Sequence, residues 1–266
     1  MIDEIKNALS NIKRQKPLIL CLTNFVTMEF VANSLLALGA APIVSTCEDE
    51  VEELIKISSA VYINIGTLNS DFIELIKKAA RLAVKYEKPV VLDPVGAGAT
   101  ELRTEIGRLM LSFSGITRGN ASEIIALKSS IQTTYGVEAT NTTCDAKEIA
   151  KFLALNSKKN TKKAIMVSGP VDFITDGNQS CEVPFGSSIM QLVTGMGCSV
   201  TAVIAAFNAV LKDSFEVSKI AAHYFALCGQ IASKNHKSPG TFKTAFLDQL
   251  HLPNLKIMKE IYDQRG

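Results

Sequence analysis

The sequence predicts a three-layer α/β fold, a mostly parallel central sheet flanked by helices, in one domain spanning residues 1–266. Three observations predict it. Short apolar runs alternate with helical stretches of about ten residues or more, the pattern of βαβ units. Polar motifs recur just beyond the apolar runs, where open parallel sheets bind ligands. No linker or repeat divides the 266 residues, which are 47% hydrophobic and 20% charged, so the chain can bury one large core.

The elements follow in order. Residues 17–22 form a short apolar strand. Residues 29–38 carry apolar positions at helical spacing and stop at Gly39, a C-terminal signal. A strand at 42–45 precedes a helix at 48–57, whose opening acids suit the positive end of its dipole. The strand at 60–65 ends at Gly66, and a helix at 70–86 begins with a Ser-Asp cap and carries an amphipathic stripe. A strand at 89–92 enters Asp93-Pro94, a helix covers 101–113, a strand 115–118 and a helix 121–127. The threonine-rich stretch 128–143 reads as a surface excursion. A helix at 145–155, capped by Asp145, leads to a strand at 163–168 and to strands at 171–175 and 179–183. Asp176-Gly177 between these last two is a hairpin signal. Four helices close the chain, at 200–211, 216–234, 241–250 and 254–262, with Pro253 at the entrance of the last.

Composition excludes several classes. A formal net charge of +2 gives no field for nucleic acid or a membrane surface. No apolar run reaches the roughly 18 residues of a membrane span. Residues 1–16 lack the apolar core of a signal peptide. The six cysteines form no C-x-x-C pair and no zinc spacing, so free thiols in a reducing, cytoplasmic compartment are expected. Lys158, Lys159, Lys162 and Lys163 read as a solvated helix end.

The chemistry concentrates at Val193-Thr194-Gly195-Met196-Gly197-Cys198-Ser199-Val200-Thr201. A glycine-rich turn opening a helix gathers free backbone N–H groups and partial positive charge, which makes an anion site. Cys198 falls in the first turn, where the same field favours its thiolate. The bland alternative is a bend with a small buried cysteine. Asp93-Pro94-Val95-Gly96-Ala97-Gly98 puts an acid and a Gly-x-Gly turn at a strand end, a magnesium or phosphate site or else a capped turn. Glu101 stands where a dinucleotide fingerprint needs its third glycine, and no Gly-Lys-Ser/Thr P-loop exists. Arg118 could clamp phosphate oxygens bidentately. Asn120 and Glu123 share a helix face, as a magnesium shell, a capping box or both. Ser168 could face a nucleotide. Asn24 and Asn64 to Thr67, also at strand ends, are candidates to contact a polar heterocycle. His223 lies in an apolar helix and reads as a core residue. A Cys198–His223 pair would make a cysteine acyl-transferase, but no third residue orients it.

Taken together, Leu92 to Thr100, Arg118 to Ile124 and Val193 to Cys198 resemble the motifs of the hydroxyethylthiazole kinases. Leu35 to Pro42 and Asn64 to Leu68 match too, and the resemblance runs in order from residue 17 to 242. It implies a ribokinase-like fold, and a homotrimer with active sites at subunit interfaces. It implies transfer of the ATP γ-phosphate, with Mg2+, to the primary alcohol of 4-methyl-5-(2-hydroxyethyl)thiazole in thiamine salvage. By motif match Cys198 is the base, and Arg118, Ser168 and Gly197 contact ATP. Asn24, Val44, Gly66 and Gly195 contact the thiazole alcohol, and Asp93 and Glu123 lie near the metal. Val44 stands where many members have Met, and Phe25 and Glu29 replace asparagines of the first loop. Competing readings are a kinase for a related vitamin-precursor alcohol and a non-catalytic nucleotide-binding regulator.

Overall fold

The computed structural model describes residues 1–128, 142–156 and 163–264, with backbone alone at 142–144. The centre of the expected excursion and Lys158, Lys159 and Lys162 lie outside these residues. An eight-stranded sheet has the order β2-β1-β3-β4-β5-β6-β7-β8. Its strands are β1 (Leu18–Leu22), β2 (Ala41–Val44), β3 (Ala60–Asn64), β4 (Val90–Asp93), β5 (Ile116–Asn120), β6 (Ala164–Ser168), β7 (Asp172–Thr175) and β8 (Ser180–Val183). All pairings through β6 are parallel. The edge strands β7 and β8 are antiparallel, joined by the expected hairpin with Gly177 at φ 92°.

Strands β1, β3, β4 and β6 are largely apolar on both faces, because helices cover both. Ile19, Cys21 and Tyr62 point into one core with α1 (Ile2–Gln15), α2 (Met28–Leu38), α8 (Met196–Asn208), α9 (Ser214–Asn235), α10 (Pro239–His251) and α11 (Leu255–Asp263). Leu20, Leu22, Val61 and Ile63 point the other way, against α3 (Val51–Ile57), α4 (Ser70–Lys85) and α5 (Glu101–Leu111). Ile165, Val167 and Phe173 meet α6 (Ala121–Leu127) and α7 (Thr142–Leu155) on that same face.

The chain steps from β1 outward to β2, then back across β1 to β3. The crossover helices α2 and α3 lie on opposite faces, as right-handed connections in opposite directions require. This reversal opens a crevice beyond the carboxyl ends of β1 and β3. Helix α8 packs across β3 and β4 and is buried all round, so it is an interior element rather than an amphipathic cover.

Several local expectations are corrected. Residues 2–15, where the sequence predicts no element, form a helix, α1, burying Ile5, Ala8, Leu9 and Ile12 on one stripe. The N-cap of α4 is Asn69, whose side chain accepts from the Phe72 amide, not the Ser-Asp pair. Helix α7 starts at Thr142, which puts Asp145 in its first turn rather than at its cap. Lys163 is buried, its Nζ donating to the Leu111 carbonyl, and burial pulls its pKa down to about 8. Helix α8 begins at Met196, earlier than periodicity implies, because Gly197 and Cys198 belong to its first turn.

Candidate active site

Strand ends supply the site. Asn24 follows β1, Asn64 ends β3, and Gly66 comes two residues later. Asp93, Asn120 and Ser168 are the last residues of β4, β5 and β6. The amino end of α8 arrives above them from the opposite direction. Gly195, its N-cap, has φ 95° and ψ 0°. That left-handed turn is cheap for glycine, and a Cβ there would lie 3.0 Å from Thr27 Cγ2.

Cys198 meets the crevice through two amides. Asn24 Nδ2 donates toward its Sγ at 3.4 Å and Asn64 Nδ2 at 3.2 Å. Asn64 Nδ2 also lies 3.2 Å from Asp93 Oδ2 and 2.8 Å from the Tyr62 hydroxyl. Its oxygen accepts from Asn24 Nδ2 at 3.0 Å and from the Gly66 amide at 2.9 Å. One Asn64 side chain therefore ties four strand ends and loops together, with two hydrogens serving three acceptors. Asn24 Oδ1 in turn accepts from the Thr27 amide and hydroxyl.

Burial outweighs these bonds. It raises the Cys198 thiol above its ordinary value, and the Asp93 charge adds to the rise. The expectation that the helix end favours a thiolate is corrected: Cys198 is 8% exposed, and desolvation of the sulfur exceeds the pull of the donors around it. Asp93 is wholly buried, and desolvation lifts its carboxyl to about 6 against the opposing pull of Arg118. Oδ2 accepts from Thr201 Oγ1 at 2.9 Å. Oδ1 lies 3.8 Å from Arg118 Nη1 and has no hydrogen-bond partner among the described residues.

Arg118 is fixed from two sides. Its Nε donates to Ser168 Oγ at 2.6 Å, and its guanidinium lies against the backbone of Gly197. A Cβ on Gly197 would stand 2.5 Å from Arg118 Nη1. The amides of Gly197 and Cys198 have no intrahelical acceptor, being in the first turn. Gly195, Met196 and Gly197 line a cavity of about 840 Å³ together with Arg118, Asn120 and Ser168. Its remaining walls come from the 169–172 turn, residues 184–191 and α9.

Glu123 closes a capping box with Asn120: its Oε2 accepts the Asn120 amide at 2.8 Å, and Asn120 Oδ1 accepts the Glu123 amide. Oε1 accepts the Gly96 amide at 2.9 Å, which holds the turn after β4. Arg103, unnoticed in the sequence, staples that turn to the loop after β3. Its guanidinium donates to the carbonyls of Ile65, Gly66 and Val95 at 2.9–3.3 Å. Thr201 ends the stretch singled out in the sequence, but its bond to Asp93, a residue 108 positions away, has no signal there.

The structure thus brings Asn24, Gly66, Asp93, Arg118, Ser168, Gly195, Gly197 and Cys198 into one contact chain, with Glu123 behind it. Val44 is the last residue of β2, paired with Cys21 of β1 and half-buried. His223 is 3% exposed, packed on the rings of Phe185 and Tyr262, with Nδ1 2.8 Å from the Lys219 carbonyl. It does not pair with Cys198. No three His, Cys, Asp or Glu side chains among the described residues form a metal cage. The orphaned, fully buried Oδ1 of Asp93 does suit magnesium, which takes one or two carboxylates and completes its shell with water and phosphate.

Comparison with known proteins identifies the family. The sequence pattern of the hydroxyethylthiazole kinase family matches residues 9–255. A hydroxyethylthiazole kinase from Chlamydia caviae is 46% identical over 264 residues, covering 99% of this chain and all of that protein. The structure of a hydroxyethylthiazole kinase from Pyrococcus horikoshii superposes with a TM-score of 0.85 at 35% identity, covering 96% of this chain and 95% of the other. A ribokinase-like superfamily protein from Enterococcus faecalis shares the fold, with a TM-score of 0.67 at 13% identity and coverage of 98% and 94%. The fold is ribokinase-like, and the chain belongs to the hydroxyethylthiazole kinase family.

Proposed function

We propose that this chain transfers the γ-phosphoryl group of ATP to the primary hydroxyl of 4-methyl-5-(2-hydroxyethyl)thiazole, a step of thiamine salvage in the cytoplasm. The observation that carries the reading is the first turn of α8, opening on a cavity beside the Arg118 guanidinium. In this reading Arg118, Ser168 and the amide of Gly197 hold the triphosphate. The thiazole alcohol lies in the crevice between β1 and β3, near Asn24, Val44, Gly66 and Gly195. Asp93 takes magnesium through its free oxygen, and Glu123 offers the remaining lone pairs of its carboxylate. The metal, when bound, neutralises charge on the phosphate oxygens.

Positioning and charge do most of the work in such transfers, so proton removal is a secondary contribution. Cys198 takes the alcohol proton as its thiolate, and burial makes that form scarce at neutral pH. Asn24 and Asn64 direct their N–H groups at the sulfur and stabilise the thiolate when it forms. Asn64 also keeps Asp93 at a set distance from it. The exposed Phe25 and Val26 beside Asn24, 58% and 71% accessible, support assembly into a homotrimer whose neighbouring subunit covers the thiazole.

ADP release with the thiazole alcohol, and not with hydroxymethylpyrimidine or pyridoxal, is the expected result of a substrate scan. ADP release with none of them marks a regulator and ends the kinase reading. Light scattering should give three chain masses; a monomer that turns over would remove the subunit-cover argument. Cys198→Ala should lower kcat by about 10²–10⁴-fold, the usual worth of a general base, and leave measurable activity. Cys198→Asp should retain more of it. In the wild type kcat should climb with pH into the alkaline range, because the raised thiol must ionise, and Cys198→Asp should flatten that limb. A wild-type profile already flat from pH 7 upward would rule out the thiolate. Gly197→Ala should fold normally yet raise the KM for ATP by about tenfold or more, since the new methyl must displace Arg118 from Ser168. An unchanged KM would show that this contact does not hold nucleotide.

A further inference from the structure

We propose that Asp172 receives the ribose hydroxyls of the nucleotide and sets a preference for a ribonucleotide over its deoxy counterparts; the inference rests on the kinase reading above. Asp172 opens β7, one tight turn after Ser168 closes β6. Val167 pairs with Phe173, which places Asp172 across from Ser168, the residue that fixes Arg118. Asp172 lines the same cavity as Arg118 and Gly197. The carboxylate is half spoken for. Oδ1 accepts the Gly169 amide at 3.0 Å, while Oδ2 meets no donor among the described residues.

The chemistry narrows what such an oxygen can take. A carboxylate is acceptor-only when ionised, and it repels phosphate. Beside a phosphate-holding guanidinium it must therefore face the uncharged portion of the nucleotide that comes next. That portion is the sugar, which presents two hydroxyl donors. The apolar part of the cavity lining, which includes Met190, Val200, Phe225 and Ala226, is left for the base. Burial raises the Asp172 carboxyl to about 6, with the Gly169 amide and Arg118 opposing the rise. At pH 7.5 it is a charged acceptor, the kind that makes stronger bonds to hydroxyls.

The experiment compares kcat/KM for ATP, 2′-deoxyATP, 3′-deoxyATP and ITP in the wild type and in Asp172→Asn. Asparagine keeps an oxygen for the Gly169 amide, so the turn survives. The wild type should prefer ATP over at least one deoxy analogue by about tenfold or more, the worth of a hydrogen bond to a charged group. Asp172→Asn should shrink that ratio to about threefold or less, mainly through the KM for ATP. A wild type indifferent to both deoxy analogues overturns the inference, whether or not the variant folds. So does a ratio that Asp172→Asn leaves unchanged, or an effect confined to ITP, which would place the carboxylate at the base. Calorimetric binding of ADP, 2′-deoxyADP and 3′-deoxyADP reads the same preference without turnover. Failure of the sugar contact is thereby distinguished from failure of catalysis.

Discussion

The closeness of main chain to guanidinium at the start of α8 is the constraint on which the site depends. No side chain fits between Gly197 and Arg118, so the helix end, with its unpaired amides and partial positive charge, stands directly against a fixed cation. Two further features make that approach possible. The left-handed turn at Gly195 swings the helix in over Thr27, and the wholly apolar body of α8 anchors it in the core. A cradle built on such a helix loses little order when an anion arrives, because its donors are oriented before binding.

Around Cys198 and Asp93 burial and hydrogen bonding oppose each other. Both groups are taken from water and both titrate higher than usual, although amides and a hydroxyl surround them. Burial is the larger cause for both, and the Asp93 charge adds to the rise at Cys198. The pair favours holding one negative charge at a time. A helix N-terminus alone, as read from the sequence, implies the reverse for the sulfur, because neither burial depth nor the neighbouring carboxylate is visible in a linear motif.

The legibility of the molecule divides along the same line. The inner strands were readable from apolar runs bounded by glycine, proline and acids, since a strand covered on both faces has a continuous apolar signature; β7 and β8 were readable from the Asp176-Gly177 turn between them. The strand-end residues Asn24, Asp93, Arg118 and Ser168 were readable because open parallel sheets present ligands there. Helix α1 was not, its stripe of Ile5, Leu9 and Ile12 being diluted by charge. Arg103 and Asp172 were not either. Their roles rest on carbonyls and amides brought together by loops from different strands, and nothing in the spacing of residues 65, 95 and 103, or of 118, 168 and 172, records that meeting. The strand order, with its reversal at β1, is likewise a tertiary fact.

Arg103 also affects the electrical balance of the whole region. Its guanidinium is spent on three carbonyls rather than on an acid, which leaves Arg118 as the cation acting on Asp93 and Asp172, with Glu123 near enough to Asp93 to raise it. Fully ionised, these five side chains sum to one negative charge. A triphosphate entering by itself finds a deficit of cations that helix amides only partly offset. On the kinase reading, a counterion carried in with the nucleotide would supply the positive charge that these side chains lack.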